Sequence, residues 1–73
     1  MDHIIVLREE YIKLGQALKA AGLVSSGVEA KIVIGEGLVS VNGEEELRRG
    51  RKLKEGDKVA YDGETIEIKG NPS

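Results

Sequence analysis

Five basic side chains, Arg48, Arg49, Arg51, Lys52 and Lys54, fall within seven residues of the stretch "ELRRGRKLKEGDKV". Three of them are Arg, whose planar fork of N–H donors matches two phosphate oxygens at once, and Gly50 in their midst lets backbone lie close to a ligand. This spacing suits electrostatic capture of an anion. Lys13, Lys19 and Lys31 add single cations upstream. From the residues alone the partner stays open among RNA, DNA and an acidic protein, and a run of charge is also how an ordinary solvated face reads.

Other reactive residue types are sparse. Ser25 and Ser26 have no His within reach to act as a base, the single His3 has no partners for metal or triad chemistry, and Glu44, Glu45 and Glu46 straddle both faces of a strand. Scattered glycines in "GEGLVSVNG" form neither a P-loop nor a dinucleotide fingerprint. No enzyme, cofactor or metal is therefore expected. Ser25 and Ser26 read first as connector and helix cap, and second as phosphate contacts at a helix start, where free N–H groups face an anion. Tyr11 and Tyr61 are the only aromatics, too few for the stacking platforms that read single strands, so recognition of a folded RNA through its phosphates fits better.

The elements that must hold these groups belong to one small domain. At 73 residues only about 60% of the unfolded surface can be buried, enough for a single modest core. The absence of Cys rules out disulfides and thiolate metal sites. "IIVL" and "AAGLV" are too short to span a bilayer, and "MDHIIVL" lacks the basic start of a signal peptide, so a cytoplasmic monomer is expected. The net charge is −2, yet Leu47 to Lys58 holds six basic residues against Glu55 and Asp57, leaving +4 there and −6 elsewhere. Screening confines charge effects to roughly 10 Å at 0.1 M salt, so this local excess matters more than the sum.

Residues 4–7 predict an edge strand or an N-terminal arm. Tyr11, Leu14, Leu18 and Ala21 recur at helical steps and Gly22 supplies a stop, predicting a first helix. Ser26 and Glu29 form a capping box, so a second helix starts there with Val28, Ile32 and either Val33 or Ile34 turned inward, ending near Gly35 and Gly37. Asn42-Gly43 and Asp62-Gly63, each between alternating apolar residues, predict two hairpins. The basic stretch between them reads as a loop held at its middle by Leu53. The result is an α+β domain over residues 1–69, two packed N-terminal helices against a small, mainly antiparallel sheet, with residues 70–73 as a disordered tail.

Residues Lys13 to Gly43, "KLGQALKAAGLVSSGVEAKIVIGEGLVSVNG", followed by "KEGDKV", resemble the S-four RNA-binding domain, or αL motif. The match falls on Leu14, Leu18, Gly22, Leu23, Ser25, Ser26, Glu29, Ala30, Gly37, Val39, Val41, Asn42, Gly43, Gly56 and Asp57. "IKLGQALK", "SGVEAK" and "RRGRKL" are similar to the short stand-alone bacterial members, the YbcJ-like or YaaA-like group. The resemblance implies binding of structured RNA, ribosomal or transfer, with the ribosome as a possible partner, through the two helices and the following loop. Lys13 and Lys31 match basic helix positions, and Arg48, Arg49, Arg51 and Lys52 match the basic run of the stand-alone group. Gly27, Leu38 and Ser40 depart from commonly basic or polar positions, which shifts the expected footprint toward the loop. The alternative is an adaptor that binds an acidic partner on a ribosome- or RNA-associated factor.

Overall fold

The computed structural model describes residues 2–71. Two helices, α1 (Leu14–Ala20) and α2 (Gly27–Gly35), cover one face of a five-stranded sheet built from β1 (Asp2–Val6), β3 (Val39–Val41), β4 (Glu44–Glu45), β6 (Lys58–Tyr61) and β7 (Glu64–Lys69). A second, two-stranded ribbon joins β2 (Ile12–Lys13) to β5 (Lys52–Leu53). The five strands run in the order β1-β7-β6-β3-β4, antiparallel except for β1, which lies parallel to β7 with Asp2 opposite Thr65 and Val6 opposite Lys69. The alternatives for residues 4–7 thus resolve to an edge strand. Side chains tie it down as well: His3 Nε2 donates to Glu64 Oε1 at 3.0 Å, and the Thr65 hydroxyl donates to Asp2.

Alternation along the strands sends Val39, Val41, Val59, Ile66 and Ile68 into the core, where they meet Leu14, Leu18 and Ile34. Each fully buried Leu or Ile is worth about 1.5–3 kcal/mol relative to exposure, so this seam supplies most of the driving force. The opposite face of the sheet carries Lys58, Ala60, Thr65, Glu67 and Lys69, exposed or half-buried and of both charge signs. That face has neither the aromatics nor the single sign of charge that nucleic acid requires.

Both hairpin turns form where their dipeptides lie, with Asn42 at φ 54° and Asp62 at φ 52°, each followed by a positive-φ Gly. Asn42 does more than turn. Its amide donates to Asp57 Oδ1 at 3.0 Å while its own Oδ1 accepts from the Lys58 N–H at 2.9 Å, and Asp57 Oδ2 accepts from the Lys54 N–H at 2.8 Å. The Asn-Gly and Gly-Asp turns are therefore one linked unit. Burial raises the Asp57 pKa, but the hydrogen bonds from Lys54 and Asn42 and the charges of Arg51 and Lys54 outweigh it and hold the carboxyl below its ordinary value.

Three sequence expectations need correction. The first helix begins at Leu14 and not at Tyr11, because Ile12 and Lys13 are extended and pair with Leu53 and Lys52. The basic stretch is not a loop throughout: β5 crosses it, although Leu53 does anchor its middle, fully buried. On α2 the inward residues are Ala30, Val33 and Ile34, whereas Val28 and Ile32 are 69% and 52% exposed. Small Ala30 faces α1 because the helices approach closely there, and apolar residues all around α2 hide that choice from periodicity. Of the expected tail, Gly70 lies half-buried beside the Glu55 side chain, while Pro72 and Ser73 fall outside the described residues.

Candidate nucleic-acid interface

The start of α1 is docked on the basic segment through backbone. Leu14 N–H donates to the Arg51 carbonyl at 2.8 Å and Gly15 N–H to the Arg49 carbonyl at 3.1 Å, so two groups left over by the helix ladder are satisfied by the segment itself. Gly15 permits the approach: a Cβ there would come within 2.8 Å of Arg49 Cγ and 3.7 Å of the Ala30 methyl. A side chain there would displace the Arg49 stem, while the distance to Ala30 stays an ordinary contact. The β2–β5 ribbon adjoins this junction and sets Lys13 directly opposite Lys52. Like charges facing each other across a ladder are destabilising. Lys52 leans over the Tyr11 ring, its Nζ 4.8 Å from the centroid, which offsets part of that cost.

The Arg residues of the segment divide into two groups. Glu46 is buried at 7% exposure and receives the Arg48 backbone N–H and Nε on one oxygen, at 3.1 Å each, and Arg48 Nη2 at 3.3 Å and Arg51 Nη1 at 2.7 Å on the other. The Arg48 side-chain hydrogen bond, then that of Arg51, outweigh burial and hold the Glu46 carboxyl down at about 2. The triad keeps a net charge of +1, and each guanidinium retains N–H donors that Glu46 does not use. Arg49 points elsewhere.

A groove of about 490 Å³ runs between α1, the start of α2 and the basic segment, lined by Lys13, Gly15, Gln16, Lys19, Gly27 and Arg49, with Ala20 and Gly50 completing it. It holds three cations and no carboxylate. None of Lys13, Lys19 and Arg49 forms an ion pair among the described residues. Their charges are thus unneutralised and share one concavity, the arrangement that concentrates positive potential toward a phosphate backbone.

The structure therefore brings together Lys13, Lys19 and Arg49, places Lys52 beside Lys13, and turns Arg48 and Arg51 toward Glu46. Lys31 on α2 and Lys54 after β5 are both exposed, and neither lines the groove. Ser26 Oγ caps α2 by accepting from the Glu29 N–H at 3.1 Å, while the Ser25 N–H and hydroxyl both donate to Glu29 Oε1, at 2.6 and 3.1 Å. Both serines are thus engaged as cap and connector. Sequence reasoning missed Glu46, Gly15 and Gln16. The last acid of the Glu44–Glu46 run, two and five residues before Arg48 and Arg51, hints at the first, but only the fold shows that it is buried.

The family model for the S4 domain matches residues 5–69. The chain is 46% identical over 63 residues to the probable ribosome maturation protein RlbA of Bacillus subtilis, covering 86% of this chain and 89% of that protein. It is 34% identical over 61 residues to the putative RNA-binding protein YbcJ of Escherichia coli, covering 84% and 87% respectively. The solution structure of that YbcJ, described as having an αL motif involved in RNA binding, superposes with a TM-score of 0.67 at 31% identity, over 93% of this chain and 85% of the other.

Proposed function

This chain belongs to the S4 domain family, and on that premise we propose that it binds structured RNA without catalysis, through phosphates held in the groove between α1, α2 and the basic segment. Lys13, Lys19 and Arg49 make the main contacts. Lys52 extends the track beyond Lys13, and Arg48 and Arg51 present their remaining donors from orientations braced by Glu46. Lys31 and Lys54, exposed and outside the lining of the groove, add long-range attraction. Ser25 and Ser26 serve the site by fixing the start of α2.

The observation that carries this reading is three cations without a carboxylate in one concavity of a chain whose net charge is negative. RNA of the ribosome is the substrate we favour, in keeping with the maturation role in the name of the Bacillus subtilis relative. The setting is the cytoplasm, where such RNA is assembled, and the unit is a monomer comprising a single domain over residues 1–69.

The test is a titration of an RNA hairpin across a salt series. Binding should weaken linearly in log–log form, and replacing Lys13, Lys19 and Arg49 by Ala, singly and together, should shallow the slope by about 0.7–0.9 for each phosphate that is no longer neutralised. A triple variant with the parent's affinity and slope refutes the proposal.

A further inference from the structure

A second hollow, of about 600 Å³, lies on the other side of α1, between that helix and the end of β1. Its volume is within the range of about 300–1,000 Å³ usual for small-ligand sites. Lys13, Gln16 and Ala20 line both this hollow and the cationic groove, so the two concavities meet along the exposed side of α1. Their chemistry differs. The groove is cationic throughout, whereas the hollow has the half-buried Tyr11 ring, aliphatic walls from Ile5 and Ile12, and a rim that includes both Arg8 and Glu9.

We propose that the hollow binds one unpaired nucleobase of the RNA whose backbone lies in the groove, an inference that rests on the phosphate-binding reading above. A phosphate gains nothing from an aromatic ring and is repelled by Glu9. A nucleobase is a flat ring edged with donors and acceptors, and protein sites for unpaired bases supply a stacking surface with mixed hydrogen-bonding groups around it. The hollow has both parts. Lys52, whose Nζ lies 4.8 Å from the Tyr11 ring centroid, is not among the residues that line the hollow. Arg8 and Glu9 have no hydrogen-bond or ion-pair partner among the described residues, and together offer donors and acceptors. Gln16 spends its Oε1 on the Lys13 N–H at 3.3 Å, which leaves its amide N–H groups for a base edge. Lys13, on the rim common to both concavities, is placed for the phosphate that joins the extruded nucleotide to its neighbour.

The inference predicts selectivity for a helix that carries an unpaired nucleotide over a continuous duplex. The probes are a fully paired RNA hairpin and the same hairpin with one bulged uridine, titrated at fixed salt against the parent, Tyr11→Phe and Tyr11→Leu. The parent and Tyr11→Phe should prefer the bulged RNA by about fivefold or more, the scale of one stacked base, and Tyr11→Leu should bind the two hairpins equally. Because Tyr11 is half-buried and its loss to Leu also bears on folding, a second measurement uses the parent alone: iodouridine at the bulge, irradiated and mapped by mass spectrometry, should crosslink to Tyr11. Equal binding of both hairpins by the parent, or crosslinks confined to residues outside the hollow, overturns the base site and leaves the phosphate reading standing. Failure of the parent to bind either hairpin overturns the phosphate reading itself, and the base site with it.

Discussion

Replacing Glu46 by Gln removes one negative charge and keeps the side chain's size. In the folded chain the carboxyl titrates at about 2 against an ordinary value of 4.5. At about 1.36 kcal/mol per pH unit, that difference sets an upper bound of about 3.4 kcal/mol on what ionised Glu46 contributes to stability. Solvent lowers the figure, since Arg48 is 73% exposed and Arg51 33%; a value on the order of 2 kcal/mol is the working expectation. The larger penalty for orphaning a buried charge does not apply, because both arginines regain water when released. The sign follows from the direction. A depressed carboxyl stabilises the fold fully above pH 4.5, and the contribution is lost as pH falls toward 2. Urea unfolding followed by circular dichroism should therefore find Glu46→Gln less stable than the parent by about 2 kcal/mol at pH 7, with the gap closing near pH 2. A gap that is absent at pH 7, or that stays constant down to pH 2, refutes the claim that Glu46 braces the two arginines through its charge.

Three further outcomes follow from the packing. Asn42→Ala puts a residue with no side-chain hydrogen bond into the left-handed region and breaks the link to Asp57 and Lys58, and should cost about 2 kcal/mol in the same unfolding assay. Gly15→Ala should leave the melting temperature within a few degrees, because the gain in helix propensity of about 1 kcal/mol offsets the displaced Arg49 stem, yet it should weaken RNA binding, since Arg49 no longer lies along α1. Ile32→Ser, at a position expected from sequence to be internal, should change stability by no more than about 0.5 kcal/mol; a loss of about 2 kcal/mol or more would place Ile32 in the core after all.

Where local chemistry decides, the sequence was sufficient. Asn42 and Asp62 adopt the positive φ that their dipeptides announced, and Ser26 caps α2 with Glu29 reaching back, because those geometries depend on residues within a few positions of one another. Leu53 as an anchor and the two-helix-over-sheet plan were legible for the same reason of pattern. The inner face of α2 was not. Val28, Ile32, Val33 and Ile34 are all apolar, and only the closeness of Gly15 to Ala30 decides which side turns in. For the site, the excess of basic residues was plain, but its partition was hidden. Whether an arginine faces RNA or a carboxylate depends on Glu46, which the sheet buries by pairing its N–H with the Val39 carbonyl at 3.0 Å. Tyr11 was read as a step of the helical period and not as a stacking surface, since the hollow that it lines takes its other wall from the end of β1.

That return has a mechanical consequence. Because β1 and β7 run in the same direction, tension drawn through the flank before β1 and the flank after β7 slides the two strands lengthwise past each other, loading the rungs between Asp2–Thr65 and Val6–Lys69 simultaneously. An unfoldase hauling on one flank against resistance at the other meets a shear clamp and not a zipper, and the rate of forced unfolding is set by how quickly that clamp fails as a unit.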